Sequence, residues 1–292
     1  MTRYIPFIFV LLWSTGFVGA KFGLPYAEPF TLLMWRMVFV IPLFILLIII
    51  FKRPKISLID AATQGLVGLL IHGFYLGGVF AAIDSNVPSG LTALIVSLNP
   101  LIIAIFSGLV LKVVISKREW FSLGLGFLGV AIVLYGASNW GGVITAKGIV
   151  WLVFSLLGIV AGTLLQKRTA QHVDLLTGSS YQYTAALLFF FLMSMSLEAR
   201  EVDWTPHLAL TLAWLVIALS LSAILLLLYM IRHGEAARVA SYFYLVPPLA
   251  AFWGWFFFDE QWSWLTLIGA SLVIGALILS KPSPSSSIIK NS

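Results

Sequence analysis

Two stretches decide how this chain is read. Residues Pro88–Gly136 are PSGLTALIVSLNPLIIAIFSGLVLKVVISKREWFSLGLGFLGVAIVLYG, and residues Ala236–Ser280 are AARVASYFYLVPPLAAFWGWFFFDEQWSWLTLIGASLVIGALILS. In each, small and apolar residues lead to an X-Pro step, Asn99-Pro100 in the first and Pro247-Pro248 in the second. Each then runs on to Leu111 or Asp259, makes a short connection and enters a glycine-punctuated apolar run. Aligning Pro100 with Pro248 gives an offset of 148, whereas the later runs align near 143, Gly126 on Gly269. The second connection is therefore shorter. A weak internal repeat with proline at the matching place is a signature of membrane transporters built from two halves.

The rest of the composition agrees. Of 292 residues, 61% are hydrophobic and 10% charged, with a mean hydropathy of +1.04. Soluble domains carry about 25% charged residues, and so much apolar surface has no place in water. A bilayer core takes about 20 apolar residues per helix. Barrel strands are roughly ten residues long and alternate. These runs are long and do not alternate, so helices are the spanning form. There is no cysteine, which excludes disulfides. The net charge of +6 would suggest nucleic acid in a soluble protein. Here the positives lie in loops and read as membrane topology, so no nucleic-acid partner is expected.

Ten apolar segments are predicted: 5–22, 30–51, 60–83, 88–111, 119–137, 146–165, 175–197, 208–231, 236–258 and 263–280. The first resembles a signal peptide, with Arg3, an apolar stretch and Gly19-Ala20. Cleavage there would break the repeat, so it is kept as an uncleaved helix. One set of alternate loops and ends holds Arg3, Lys52, Arg53, Lys55, Lys112, Lys117, Arg118, Lys167, Arg168, Arg232, Arg238, Lys281 and Lys290. The opposite set holds Lys147 and Arg200, with Lys21 at the rim and Arg36 inside a segment. This bias places both termini in the cytoplasm. Five segments per half is an odd number, so the second half enters from the opposite side and the repeats are inverted. The expected fold class is all-α integral membrane, ten transmembrane helices as two inverted five-helix repeats. Residues 1–140 form the first repeat and 141–281 the second. The polar end, 282–292, is a disordered cytoplasmic tail.

Enzyme signatures are missing: no HExxH, no paired cysteine ligands and no GxSxG. Gly124-x-Gly126-x-x-Gly129 matches a dinucleotide fingerprint only as letters, since no strand precedes it. It reads as close helix packing, as does Gly73-x-x-x-Gly77. Polar groups inside a membrane are costly and point to function. Arg36 is the clearest, either snorkelling or paired structurally with Glu28, or contacting substrate. Lys21, nearer the rim, is expected to snorkel. His72 and Tyr75 share one face of the third segment. His72 is read as a packing histidine, with proton coupling as the sharper alternative. Gln166, Tyr181 and Gln182 can line a polar cavity. Proline removes a backbone hydrogen bond and kinks a helix, so Pro100, Pro247 and Pro248 are candidate gating kinks. Asn99 lies beside the first, and Tyr242 and Tyr244 lie upstream of the second. Trp13, Trp35, Tyr75, Tyr181 and Tyr242 could wall an aromatic pocket. No acidic residue lies deep in a segment, which argues against exchange of protons for cations at a central carboxylate.

The stretch Trp13-Ser14-Thr15-Gly16-Phe17-Val18-Gly19-Ala20-Lys21, followed by Leu24-Pro25-Tyr26-Ala27-Glu28-Pro29 and Arg36, resembles the first two helices of EamA-type proteins of the drug/metabolite transporter superfamily. The segments around Asn99-Pro100 and Pro248 resemble the end of each EamA unit. The resemblance implies a ten-helix carrier of the bacterial inner membrane. It implies a cavity lined by segments 1–4 and 6–9, with segments 5 and 10 at the periphery. Small relatives that expel cationic drugs carry a glutamate in the first helix, where this chain has Trp13, Ser14 and Thr15.

The reading is therefore an alternating-access carrier, not an enzyme, for a small polar or zwitterionic metabolite, an amino acid or related compound moved outward. Its expected substrate contacts are Trp13, Thr15, Trp35, Arg36, His72, Tyr75, Asn99, Gln166, Tyr181, Gln182 and Tyr242. No cofactor or metal is expected; the partners are a small molecule and the lipid bilayer, with monomer and homodimer both open. Import of a vitamin-like or nucleobase-like solute is the second reading. An integral-membrane enzyme on lipid-linked substrates and a non-transporting membrane helper are the readings of another class.

Overall fold

A computed structural model describes residues 4–99, 102, 116–138, 145–169, 173–223, 225–226 and 245–279. The described chain is helical, and the β pairing among these residues is a single antiparallel bridge, Ala27 with Val202. In chain order the helices are α1 (Ile5–Gly23), α2 (Pro29–Ile50), α3 (Leu58–Asp84), α4 (Ser89–Val96) and α5 (Lys117–Ser138). Then come α6 (Ala146–Thr169), α7 (Leu175–Leu197), α8 (Pro206–Ala223), α9 (Val246–Phe258) and α10 (Trp264–Leu279).

Among the described residues, five helices are long and apolar enough to cross a bilayer: α2, α3, Ala146–Gln166 of α6, α7 and α8. Helix starts follow local chemistry. The Ser57, Asp174 and Thr205 side chains accept the backbone N–H of Asp60, Thr177 and Leu208, capping α3, α7 and α8. Pro29 and Pro206 open α2 and α8, where a missing N–H costs nothing. The predicted segments 88–111, 208–231, 236–258 and 263–280 lie partly outside the described residues, and the tail from residue 282 lies wholly outside them.

Two helices leave the α-helical register at corresponding places. Leu69–Leu76 of α3 and Trp214–Ala223 of α8 are π-helical. π segments loosen the backbone ladder and tend to mark functional sites. The Ser155 hydroxyl of α6 donates to the Tyr75 carbonyl at 3.0 Å. Within α8, Ser220 and Ser222 donate to the carbonyls of Leu215 and Ile217 at 3.2 and 2.8 Å. Hydroxyls thus supply donors where water is excluded.

Between the first five helices and the last five, the packing has an exchange pattern. α2 packs on α7, α4 on α9 and α5 on α10. α1 packs on α8 and α9, while α6 packs on α3 and α4; α2 also meets α8, and α3 meets α7. Swapping every helix with the one five places away leaves this scheme unchanged.

Glycine sets the closest approaches. A Cβ at Gly129 would lie 2.7 Å from the Gly269 carbonyl oxygen, and one at Gly269 would lie 2.5 Å from that of Gly129. At Gly68 a Cβ would overlap the backbone of Gln182, and at Gly158 it would come within 2.7 Å of the Leu70 carbonyl. Small residues of this kind let membrane helices touch backbone to backbone. Gly73 and Gly77 face Phe189 and Phe190 of α7. The letters of the dinucleotide fingerprint therefore lie in a packed helix, with Gly129 at its closest contact. Gly124 is the control, since a Cβ there would meet no atom within 4 Å. We expect Gly129→Ala to cost about 1–3 kcal/mol through overpacking, with Gly124→Ala near neutral. Melting temperatures of the two purified variants check this, and equal values would refute it.

Candidate functional site

A cavity of about 130 Å³ lies where the π segments of α3 and α8 face α1, α2, α6 and α7. α1 contributes Trp13, Gly16 and Phe17, α2 contributes Arg36, and α7 contributes Tyr183. Ile71, His72, Tyr75, Leu76, Val79 and Phe80 come from α3, with Ile159 and Leu219 opposite. The wall is mostly apolar, with a few polar groups converging on one space, as in small-molecule sites generally.

Arg36 is 6% exposed. Its Nε donates to the Ser220 hydroxyl at 3.1 Å, and Ser220 is also within hydrogen-bonding reach of Tyr183. Among the described residues no carboxylate pairs with it. Glu28 turns elsewhere, accepting the Arg200 backbone N–H at 2.8 Å, which removes the structural pairing open from the sequence. His72 packs on Tyr183 with ring centroids 4.4 Å apart and the rings tilted, and it is within hydrogen-bonding reach of Gln182. The Gln182 amide donates to Gln64 at 2.6 Å and to Gln166 at 3.1 Å. This glutamine cluster ties α3, α6 and α7 together behind His72.

The expected contacts separate into groups. Trp13, Arg36, His72 and Tyr75 come together in the cavity. Gln166 and Gln182 stand behind it. Thr15 accepts a hydrogen bond from Trp214 Nε1 at 3.0 Å, in a different groove. Trp35 packs edge-on against Trp204 near the rim, and Tyr181 is exposed on the outer face of α7. The buried Asn99 Oδ1 has no partner among the described residues, and Leu98 N–H bonds tightly back to Ile95. Pro247 and Pro248 lie in the first turn of α9 as described. Pro100, Tyr242 and Tyr244 lie outside the described residues.

Tyr183 and Ser220 join the site without a mark in the sequence. Tyr181 and Tyr183 are two positions apart on one helix and so face opposite ways. Nothing in the apolar sequence of α7 tells which way is inward.

Lys21 corrects the snorkelling expectation. Its Nζ forms an ion pair with Glu260 at 2.8 Å and lies 4.5 Å from the Phe258 ring. Glu260 also accepts the Ser89 N–H at 2.9 Å, the Ser89 hydroxyl at 3.0 Å and the Gly90 N–H at 3.2 Å. It thereby caps α4 from across the molecule, in room left by Gly254. Glu198 does the same for α2, accepting from Phe30 N, Thr31 N and Thr31 Oγ1, each at 2.7 Å. Burial pushes the Glu198 carboxyl above the ordinary Glu value, and these donors pull it back.

The fold defines a multi-pass membrane protein with a small cavity between its helices. The sequence profile described as the EamA-like transporter family matches residues 4–135 and again 146–281, so the chain belongs to that family and is a drug/metabolite-type transporter. It is 26% identical over 272 residues to "Uncharacterized transporter YvbV" of Bacillus subtilis (strain 168), covering 92% of this chain and 88% of that one. It is 25% identical over 280 residues to "Uncharacterized inner membrane transporter YedA" of Escherichia coli (strain K12), covering 94% and 88%. "Pseudopaline exporter CntI" of Pseudomonas aeruginosa (strain UCBPP-PA14) is 24% identical over 246 residues, 80% of each chain. A crystal structure aligns over 95% of this chain and 94% of its own, with a TM-score of 0.63 and 18% identity.

Glu260→Ala removes the acceptor that Lys21, Ser89 and Gly90 share. Breaking a buried pair costs about 3–5 kcal/mol. We expect it to lower the melting temperature more than Lys21→Ala, because Lys21 is one-third exposed. A thermal melt of the two variants and their double mutant decides, and a larger loss from Lys21→Ala would contradict the capping role.

Proposed function

We propose that the protein is an alternating-access carrier that exports a small carboxylate-bearing metabolite of the amino-acid-related class. The observation that carries this reading is Arg36, a buried cation facing a cavity with no acidic partner among the described residues. A guanidinium in this setting is costly unless something anionic meets it. Arg binds carboxylates through paired donors, and its Nη groups remain for a ligand once Nε is spent on Ser220.

The frame we propose is ten crossings in two inverted repeats, 1–140 and 141–281, in the bacterial inner membrane with both termini cytoplasmic. The exchange pattern in the packing supports it, as does the placement of the π segments. Polar pairs support it further. Arg36 aligns with Gln182 at an offset of 146 and His72 with Ser220 at 148. Arg36 meets Ser220, and Gln182 is within reach of His72. Each half thus sends one polar side chain from its second helix to the π segment of the other. Direction rests on weaker support, the name of one relative as an exporter.

Transport is tested by counterflow in proteoliposomes with neutral and aromatic amino acids, small organic acids, riboflavin, a nucleobase and an organic cation. Saturable flux of a carboxylate-bearing solute is expected, and Arg36→Ala should reduce it about tenfold or more, the loss of a charge-assisted hydrogen bond. Flux unchanged in a folded Arg36→Ala protein would remove Arg36 from the site. The lack of native cysteine makes orientation testable as well. A Cys at Lys55 should react only from the cytoplasmic side and a Cys at Glu201 only from the opposite side, and labelling from the same side would refute inversion.

A further inference from the structure

We propose that the carried species is a short-chain monocarboxylate that is net anionic, without a free ammonium group. The proposal rests on the carrier reading above and narrows its substrate. Charge decides it. Among the described residues of the cavity wall Arg36 is the charged group, and no Asp or Glu is part of that wall. Described acidic side chains at the helix ends are committed there: Glu260 to Lys21 and α4, Glu198 to α2, Glu28 to Arg200, Asp174 to Thr177 and Asp60 to Ser57. A monocarboxylate seated on Arg36 leaves the site neutral. A zwitterion leaves it with the same uncompensated positive charge as the empty site. Its ammonium, two bonds from the carboxylate carbon, would also lie close to the guanidinium. Buried unpaired charge is what low-dielectric sites select against, and protonating His72 would only add to it.

The remaining geometry sets the rest of the molecule. Beyond Arg36 the residues on the described wall with polar groups are Trp13, His72, Tyr75 and Tyr183, which suit a carbonyl or hydroxyl oxygen. Phe17, Leu76, Val79, Phe80, Ile159 and Leu219 are apolar and suit a hydrocarbon end. The cavity is small, about 130 Å³, which suits a compact solute.

The test is a matched series on the full chain purified in detergent: isovalerate, isovaleramide, isopentylamine and leucine. Binding is read from ligand-dependent melting temperature and from tryptophan fluorescence, since Trp13 is on the wall. Isovalerate should raise the melting temperature saturably, with the amide, amine and amino acid far weaker. Arg36→Gln should weaken isovalerate binding about tenfold or more, and Arg36→Lys should weaken it less. If Arg36→Gln fails to fold, Ser220→Ala takes its place, since it frees the guanidinium from its anchoring hydroxyl and should also weaken binding. Leucine binding as well as isovalerate would overturn the anion proposal while leaving the carrier reading intact. Equal binding of the amide would overturn it too, as would a series in which nothing binds. The counterflow experiment decides the carrier reading separately, through flux of any solute on its panel.

Discussion

A positive charge held inside a bilayer without a negative partner among the described residues constrains everything near it. Arg36 meets a serine hydroxyl on α8, and that serine is available because α8 is π-helical there. A regular α-helix repeats every 3.6 residues, so one extra residue in a turn re-aims the side chains that follow. The same distortion in α3 carries His72 and Tyr75. Both π segments leave backbone groups in need of partners. Ser155, Ser220 and Ser222 supply donors, as they must where lipid and packed protein exclude water.

The framework that holds these loosened turns is built from close backbone contact. Gly68 lets α3 touch α7 at Gln182, the residue whose amide organises the glutamine cluster behind His72. Gly158 lets α6 touch α3 at Leu70, within the π segment. At the rim, Glu198 and Glu260 each reach across to cap a helix that begins far away in sequence. A carboxylate at a helix N-terminus satisfies orphan N–H groups and opposes the helix dipole together. The site is therefore gripped at mid-depth by glycine contacts and at the rim by acidic caps.

Much of this is legible in the sequence, for identifiable reasons. Apolar runs of bilayer length locate the helices, because lipid allows few other forms. Charge inside such a run is so costly that Arg36 stands out alone, and His72 and Tyr75 follow by helical spacing. The inward face of each helix is not legible. In a soluble helix the polar stripe marks the outside. Here lipid and core are both apolar, so Tyr181 and Tyr183 look alike, and the structure puts only the second against His72. Lys21 reads as snorkelling because its partner, Glu260, is 239 positions away. Ser220 is invisible because serine in a membrane helix ordinarily bonds its own backbone.

The bond of Arg36 to Ser220 and the nearness of Gln182 to His72 illustrate what a duplicated scaffold can do with unequal side chains. If the halves are exchanged as we propose, these four positions form two equivalent pairs, each contributing one wall residue, Arg36 or His72. Identical chemistry at both would give a cavity without polarity, able to hold a ligand in either orientation. Arginine at one place and glutamine at the other break that equivalence. The cavity wall then carries a full charge with a hydroxyl anchor at one place and, at another, an imidazole backed by glutamine amides. A ligand with one charged end and one apolar or weakly polar end gains from a single orientation. In the proposed arrangement the backbone equivalence of the halves is kept, because the asymmetry resides in side chains alone.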